Sequence, residues 1–222
     1  ADDIINTCAR QGDPALCDLI HRDSAGTLWR TDDAYTVTTN QNIGELHSFG
    51  LDVEAQYKVD TQNLGSFDLT IRGTRIFNDE FKDPLVDYDC AGYFGNQCET
   101  PKAEWNHKMK VSWKANDSST LSLSWRYVGE VTNDDASPDD DLSGSQSSID
   151  KWKANNVLNV DAQSYIDLAY SYEFDAGYRV TAGMNNVLDK EPPLFPSLSS
   201  TGYSGTYDTL GRYVFIGLSA TF

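Results

Sequence analysis

The chain has 222 residues and carries 17 basic against 34 acidic side chains, a formal charge of −17 with a pI near 4.3. That balance argues against nucleic acid or an anionic lipid surface as partner, because the phosphate attraction behind such binding turns into repulsion. With 9 Phe, 5 Trp and 12 Tyr the chain is too aromatic for a disordered polymer, yet its longest apolar run, Tyr213–Ile216, falls far short of the ~20 residues of a membrane-spanning helix.

The first thirty residues read as a loop with short helical pieces. Asp13-Pro14 sets an N-cap before a proline at the first helical position, predicting a turn or two through Cys17 and Ile20. After Gly26 the pattern changes to period 2, which predicts seven strands. They are Glu45–Val59, Phe67–Phe81, Trp105–Ala115, Ser119–Val131, Tyr165–Phe174, Tyr178–Leu188 and Gly211–Phe222. Residues 31–41 are expected to extend the first strand. In the third strand His107, Met109, Val111 and Trp113 alternate with Lys108, Lys110, Ser112 and Lys114. The fourth, fifth and last strands alternate in the same way.

One apolar and one hydrophilic face per strand fits a soluble sandwich, with the apolar face turned inward. It equally fits an outer-membrane barrel, with the apolar face turned to lipid and the charges lining a wet lumen. The connections separate the two. Residues 60–66, 116–118 and 175–177 are short, whereas 82–104, 132–164 and 189–210 are long, and short and long alternate strictly. That is the asymmetry of periplasmic turns against extracellular loops. Aromatic residues near strand ends (Tyr57, Trp105, Trp113, Tyr127, Tyr172, Phe174, Tyr178) match interfacial girdles. The fold class expected is therefore all-β, an antiparallel transmembrane β-barrel segment.

Seven is an odd count for a single-chain bacterial barrel. Counting back from a periplasmic terminus also puts the acidic start, Ala1-Asp2-Asp3, inside an extracellular loop. A narrow closed barrel would moreover have to pack Asp52, Glu54, Arg72, Lys108, Lys110, Lys114 and Asp167 inside it. The expectation is a C-terminal segment of a larger barrel: residues 1–30 an extracellular loop, residues 31–222 barrel strands.

Asn185-Asn186-Val187-Leu188-Asp189-Lys190-Glu191-Pro192-Pro193, then Tyr207-Asp208-Thr209-Leu210-Gly211-Arg212-Tyr213 and a terminal Phe222, together resemble the C-terminal end of TonB-dependent outer-membrane receptors. Asn42-Ile43-Gly44 with Ser48-Phe49-Gly50-Leu51-Asp52 and Tyr57 resembles another stretch of the same barrels. The resemblance spans roughly residues 27–222. It implies about 22 strands around a plug, energised uptake of a scarce ligand, and a Gram-negative outer membrane. It also implies as partners the TonB complex acting through the plug, the remaining barrel strands, outer-membrane lipid, and a barrel-assembly machinery that reads Phe222. The plug is absent from these 222 residues. Two other classes stand beside this reading: a soluble β-sandwich carbohydrate-binding module, and a small closed barrel acting as adhesin or anchor.

Four cysteines allow three connectivities, and the short spacings favour Cys8–Cys17 and Cys90–Cys98 as loop disulfides over a metal site. The run Asp134-Asp135-Ala136-Ser137-Pro138-Asp139-Asp140-Asp141 lacks the order of a calcium loop and reads as a solvated acidic loop. His21, His47 and His107 form no acid–base constellation, and Gly202-Tyr203-Ser204-Gly205 misses the nucleophile-elbow pattern by one residue. No enzyme, cofactor or metal site is expected. Tyr88, Tyr93, Phe94, Trp152, Phe195, Tyr203 and Tyr207 lie on the long loops, where rings can stack on sugars or planar chelates or simply pack the loops. No residue singles itself out as a binding site. Siderophore, cobalamin and oligosaccharide remain open, and the acidic, aromatic loops favour a glycan over anionic chelates, which suit a cationic pocket.

Overall fold

The computed structural model describes residues 2–39, 44–83, 86–174, 177–195, 203 and 205–220. Its elements run α1 (Asp2–Gln11), α2 (Pro14–Cys17), β1 (Ile20–His21), β2 (Tyr35–Thr36), β3 (Glu45–Thr61), β4 (Gly65–Lys82), β5 (Asp87–Asp89), β6 (Tyr93–Phe94), β7 (Trp105–Lys114), β8 (Ser119–Val128), β9 (Val131–Asn133), α3 (Gln146–Ala154), β10 (Asn159–Val160), β11 (Gln163–Glu173), β12 (Tyr178–Asn185) and β13 (Tyr213–Ala220). They divide into two compact units, residues 1–47 with 80–88 and residues 48–79 with 89–222. Phe222, Asn42, Ile43, Gly202 and Ser204, singled out above, lie outside the described residues.

In the first unit, Gly12 breaks the helical stretch at φ +67, and the Asp13 carboxylate accepts from the Ala15 N–H at 2.9 Å to open α2. The Cys8–Cys17 disulfide ties α1 to α2, and Thr7 and Leu16 are buried beside it. Of the residues 31–41 expected to extend β3, those described, 31–39, do not simply do so. Tyr35–Thr36 pairs instead with Ile20–His21, and the His21 ring stacks on Tyr35 at 4.5 Å. Asp23 organises the loop between them: its Oδ1 accepts from the N–H groups of Ala25 (2.9 Å) and Thr27 (2.8 Å), and its Oδ2 from the Thr27 hydroxyl. Tyr88 is buried with its ring 5.4 Å from that of Phe81.

In the second unit seven strands form one antiparallel path, ordered β13-β12-β11-β8-β7-β4-β3. Register turns the period-2 pattern into continuous rows. Leu69, Val111, Leu123, Leu168, Met184 and Val214 stand opposite one another across six strands. The next row on the opposite face reads Asp68, Ser112, Ser122, Ala169, Gly183 and Phe215. Among the described residues no second sheet covers the apolar rows, where Leu123 is 44% and Val214 64% exposed. The path is also open, with β3 and β13 at its edges. The first observation removes the sandwich reading and the second the small closed barrel.

The expected strands are found within a few residues, and the departures have local causes. β8 ends at Val128, not Val131, because its partner β7 begins at Trp105: the Gly129 N–H still bonds to the Trp105 carbonyl at 2.9 Å, and no β7 residue lies beyond it to pair with. The chain then pairs as β9 with β6 and β10 in a separate three-stranded sheet. β12 ends at Asn185 because Asn186 takes φ +50, buried, with its side chain bonded to the Lys190 N–H and carbonyl at 2.9 Å each. Gly65, at φ +79 as the first residue of β4, has no room for a side chain against the Lys114 carbonyl.

Candidate functional site

Cations stand along the polar face, with Lys114 and Arg179 at the turn end and a row of three at the end where the long connections lie. Arg72, Lys108, Arg126 and Tyr165 form one cross-strand row over β4, β7, β8 and β11. Arg72 is neutralised by Glu54 at 2.8 Å. Arg126 takes both oxygens of Asp167, at 2.7 and 2.8 Å, and also Asp208 at 2.8 Å, while its guanidinium lies 5.0 Å from the centre of the Tyr165 ring. Asp167 in turn accepts from the Asn186 N–H at 2.9 Å, so the Asn-Asn-Val-Leu-Asp segment positions the anion that positions Arg126. Exposed Lys108, between the two arginines, makes no ion pair among the described residues, and neither does Lys110 below it. A recess of about 650 Å³ opens beside this row, lined by Asp52, Arg72, Lys108, Arg126, Tyr165 and Thr206.

The long connections build a core of their own. Phe94, Ala103, Val131, Val160, Phe195 and Tyr207 pack together, with the Phe94 ring edge-on to Phe195 at 5.1 Å and to Trp152 at 6.4 Å. Five of the seven loop rings (Tyr88, Phe94, Trp152, Phe195, Tyr207) are buried and packed, leaving Tyr93 and Tyr203 half-buried. Burial, then the carboxylates of Asp134 and Glu99, push the Tyr203 phenol up to about 12. Its neutral hydroxyl donates to the Glu99 carbonyl at 2.7 Å. Burial likewise raises Tyr207.

The acidic loop is not solvated as expected, because Asp134 and Asp135 are buried. Asp134 accepts from the N–H groups of Gln97 (2.7 Å) and Cys98 (3.1 Å), and so clamps the end of the Cys90–Cys98 disulfide loop. A side chain at Gly95 would overlap the same carboxylate. Asp135 accepts from the Ser148 hydroxyl and from the Trp152 ring N–H at 2.6 Å. Backbone donors at Asp134 Oδ2 and side-chain donors at Asp135 Oδ2 thus stand where water ordinarily solvates a carboxylate. Among the described residues no group of three or more His, Cys, Asp or Glu is arranged to hold a metal.

The apolar face is bounded by two aromatic bands. At the loop end Trp105 donates to His107 Nδ1 at 2.9 Å, and the His107 ring contacts Trp125 at 4.5 Å and Tyr127 at 5.1 Å. At the turn end Phe67 stacks on Trp113, whose ring N–H donates to the Leu64 carbonyl, and Tyr172 meets Phe174 at 4.8 Å. Trp105 and Trp113 are separated by about 26 Å of strand at ~3.3 Å per residue, which a tilt of ~35–45° projects to roughly 19–22 Å, most of the ~25 Å apolar band of an outer-membrane barrel. The family model described as TonB dependent receptor-like, beta-barrel, matches residues 2–187. The chain belongs to that family. In a barrel of this family the banded face meets lipid and the cation row faces the lumen. A mutant of the ferric enterobactin receptor from Pseudomonas aeruginosa is similar at 14% identity and a TM-score of 0.48, over 79% of this chain and 22% of that one. The chain therefore spans about a fifth of the receptor's length. No curated protein matches significantly. No helix among the described residues is long and apolar enough to cross a membrane, which leaves crossing by strands untouched.

Proposed function

We propose that the chain is the C-terminal part of the barrel of a TonB-dependent transporter in a Gram-negative outer membrane, importing a scarce ligand rather than catalysing a reaction. The observation that carries this is the two-faced sheet: an uncovered apolar face between aromatic bands, and an ionic opposite face beside a recess, in a chain of this family. Its partners in this reading are the plug and the remaining strands, the TonB complex acting through the plug, lipid against the apolar rows, and the assembly machinery that recognises a terminal aromatic such as Phe222. The disulfides Cys8–Cys17 and Cys90–Cys98 brace loops on the oxidising side. Burial of five loop rings weakens the glycan argument that rested on them, and Lys108, with no ion pair among the described residues, opens the field to anionic ligands.

The test is deletion of the gene for the full-length protein, followed by uptake and growth under limiting iron, cobalamin and glycan. A defect for one nutrient, reproduced by loss of TonB, is expected. Normal uptake of all three, or recovery of the protein in the soluble fraction, overturns the reading.

A further inference from the structure

We propose that Lys108 and Arg126 form a carboxylate-binding site on the lumen face, and that Asp208 occupies part of it as a built-in competitor that a carboxylate-bearing ligand displaces. This rests on the transporter reading and names a ligand class for it.

The charge distribution is the starting point. One guanidinium, Arg126, holds two carboxylates, one from its neighbouring strand and one from the last long connection. Asp167 alone satisfies the ion-pairing need of Arg126 with two parallel bonds and is itself held by the Asn186 N–H. The Asp208 carboxylate is thus a second anion on a cation already paired. One residue away in the cross-strand row, Lys108 is exposed and has no ion pair among the described residues. The pair therefore has spare positive charge on the lysine and spare negative charge on the arginine.

The geometry places that imbalance beside usable space. The lining of the recess includes Lys108, Arg126 and Tyr165, then Gly205 and Thr206 close to Asp208 in the chain, and also Asp52 and Glu54, whose carboxylates are held by the Thr74 hydroxyl and by Arg72. A carboxylate entering it reaches the lysine directly and meets Arg126 where Asp208 now binds. Asp208 itself shows which group the arginine's outer edge accepts. Its carboxylate is on a connection, whereas Asp167 is on a strand, so Asp208 is the one that can swing aside while Tyr207 stays packed against Phe195 at 5.9 Å. The same carboxylate chemistry can come from an acidic sugar or from a carboxylate metal chelate.

Both sources are tested on the full-length protein in detergent by calorimetric titration with trigalacturonate and with ferric citrate, using maltotriose as the neutral control. At least one carboxylate probe is expected to bind, and which one does so identifies the source. Lys108→Gln should weaken that probe about tenfold or more, with affinity restored by Lys108→Arg. Asp208→Asn should tighten it several-fold, the opposite sign from a residue that merely supports the site. Heat-shifted gel mobility of each variant reports that the barrel has formed. Failure of both probes, unchanged affinity in Lys108→Gln, or weakening in Asp208→Asn overturns the proposal. The transporter reading stands or falls separately, on TonB-dependent uptake.

Discussion

The loop cluster and the large sheet bury apolar side chains by opposite arrangements. Around Phe94 the rings close on one another, and even two carboxylates are taken inside on backbone and ring N–H donors. Across the sheet the row from Leu69 to Val214 is left open, although it is as apolar as any core. A cluster that folds around itself expects water outside, whereas a broad uncovered apolar face expects a nonpolar solvent. One chain is therefore built for two media, and the bands at Trp105 and Trp113 mark where they meet.

The sharpest way to break this comparison is Phe94→Ala in the full-length protein. Removing a fully buried ring should cost the loop cluster about 3–5 kcal/mol, read as new protease cleavage within residues 89–104 and 131–160. The heat-shifted mobility of the barrel should survive. Simultaneous loss of both would show the two regions to be one cooperative unit. A somewhat smaller effect is expected from Leu123→Arg, in the middle of the apolar row. A charge at mid-depth on the lipid face should cost about 2–4 kcal/mol, measured by refolding into vesicles under urea, while a neutral result would mean that the face meets water.

The smallest effect concerns the first unit. Hydrogen bonds from the Thr27 side chain and backbone, with that of Ala25, hold the Asp23 carboxyl below its ordinary 3.8. A depressed folded value contributes stability that is present above 3.8 and lost as pH falls through the lowered value. The carboxylate is shielded by its own loop, not by a core, so the consequence is local. The protection factors of the amides in residues 23–27, which correct for the intrinsic pH dependence of exchange, should fall below pH ~3.8 and stay flat from pH 5 to 8. A change confined to neutral pH would dissociate Asp23 from the order of that loop.

Much of the sheet was legible because its side chains repeat every two residues. The run from Trp105 to Lys114 alternates without a fault, and its strand lies where the pattern places it. Where a rule stopped early it did so at a backbone event that side-chain pattern does not encode. Val131 keeps the alternation of Ser119–Val128, but β7 begins at Trp105 and leaves no residue beyond Gly129's partner for β8 to pair with. The pairing of Ile20–His21 with Tyr35–Thr36 was invisible, since two residues carry no period. Acidity misled at Asp134 and Asp135, because their donors lie as far as 37 residues away in sequence. The recess was half legible: alternation assigns Arg72, Lys108 and Arg126 to one face, and nothing local says that they stand side by side.

By itself the sequence determined the two faces of each strand, the alternation of short and long connections, and the spacing that lets Cys8 meet Cys17 and Cys90 meet Cys98. These follow from geometry repeated over a few residues. Only the tertiary structure decided the register that aligns three cations, the burial of the loop rings, and the choice of Asp208 as second partner to Arg126. Those are contacts between residues 82 apart for Arg126 and Asp208 and further still for Phe94 and Phe195, and no local rule reaches that far, because long-range pairing is set by how rows of side chains pack across the whole sheet.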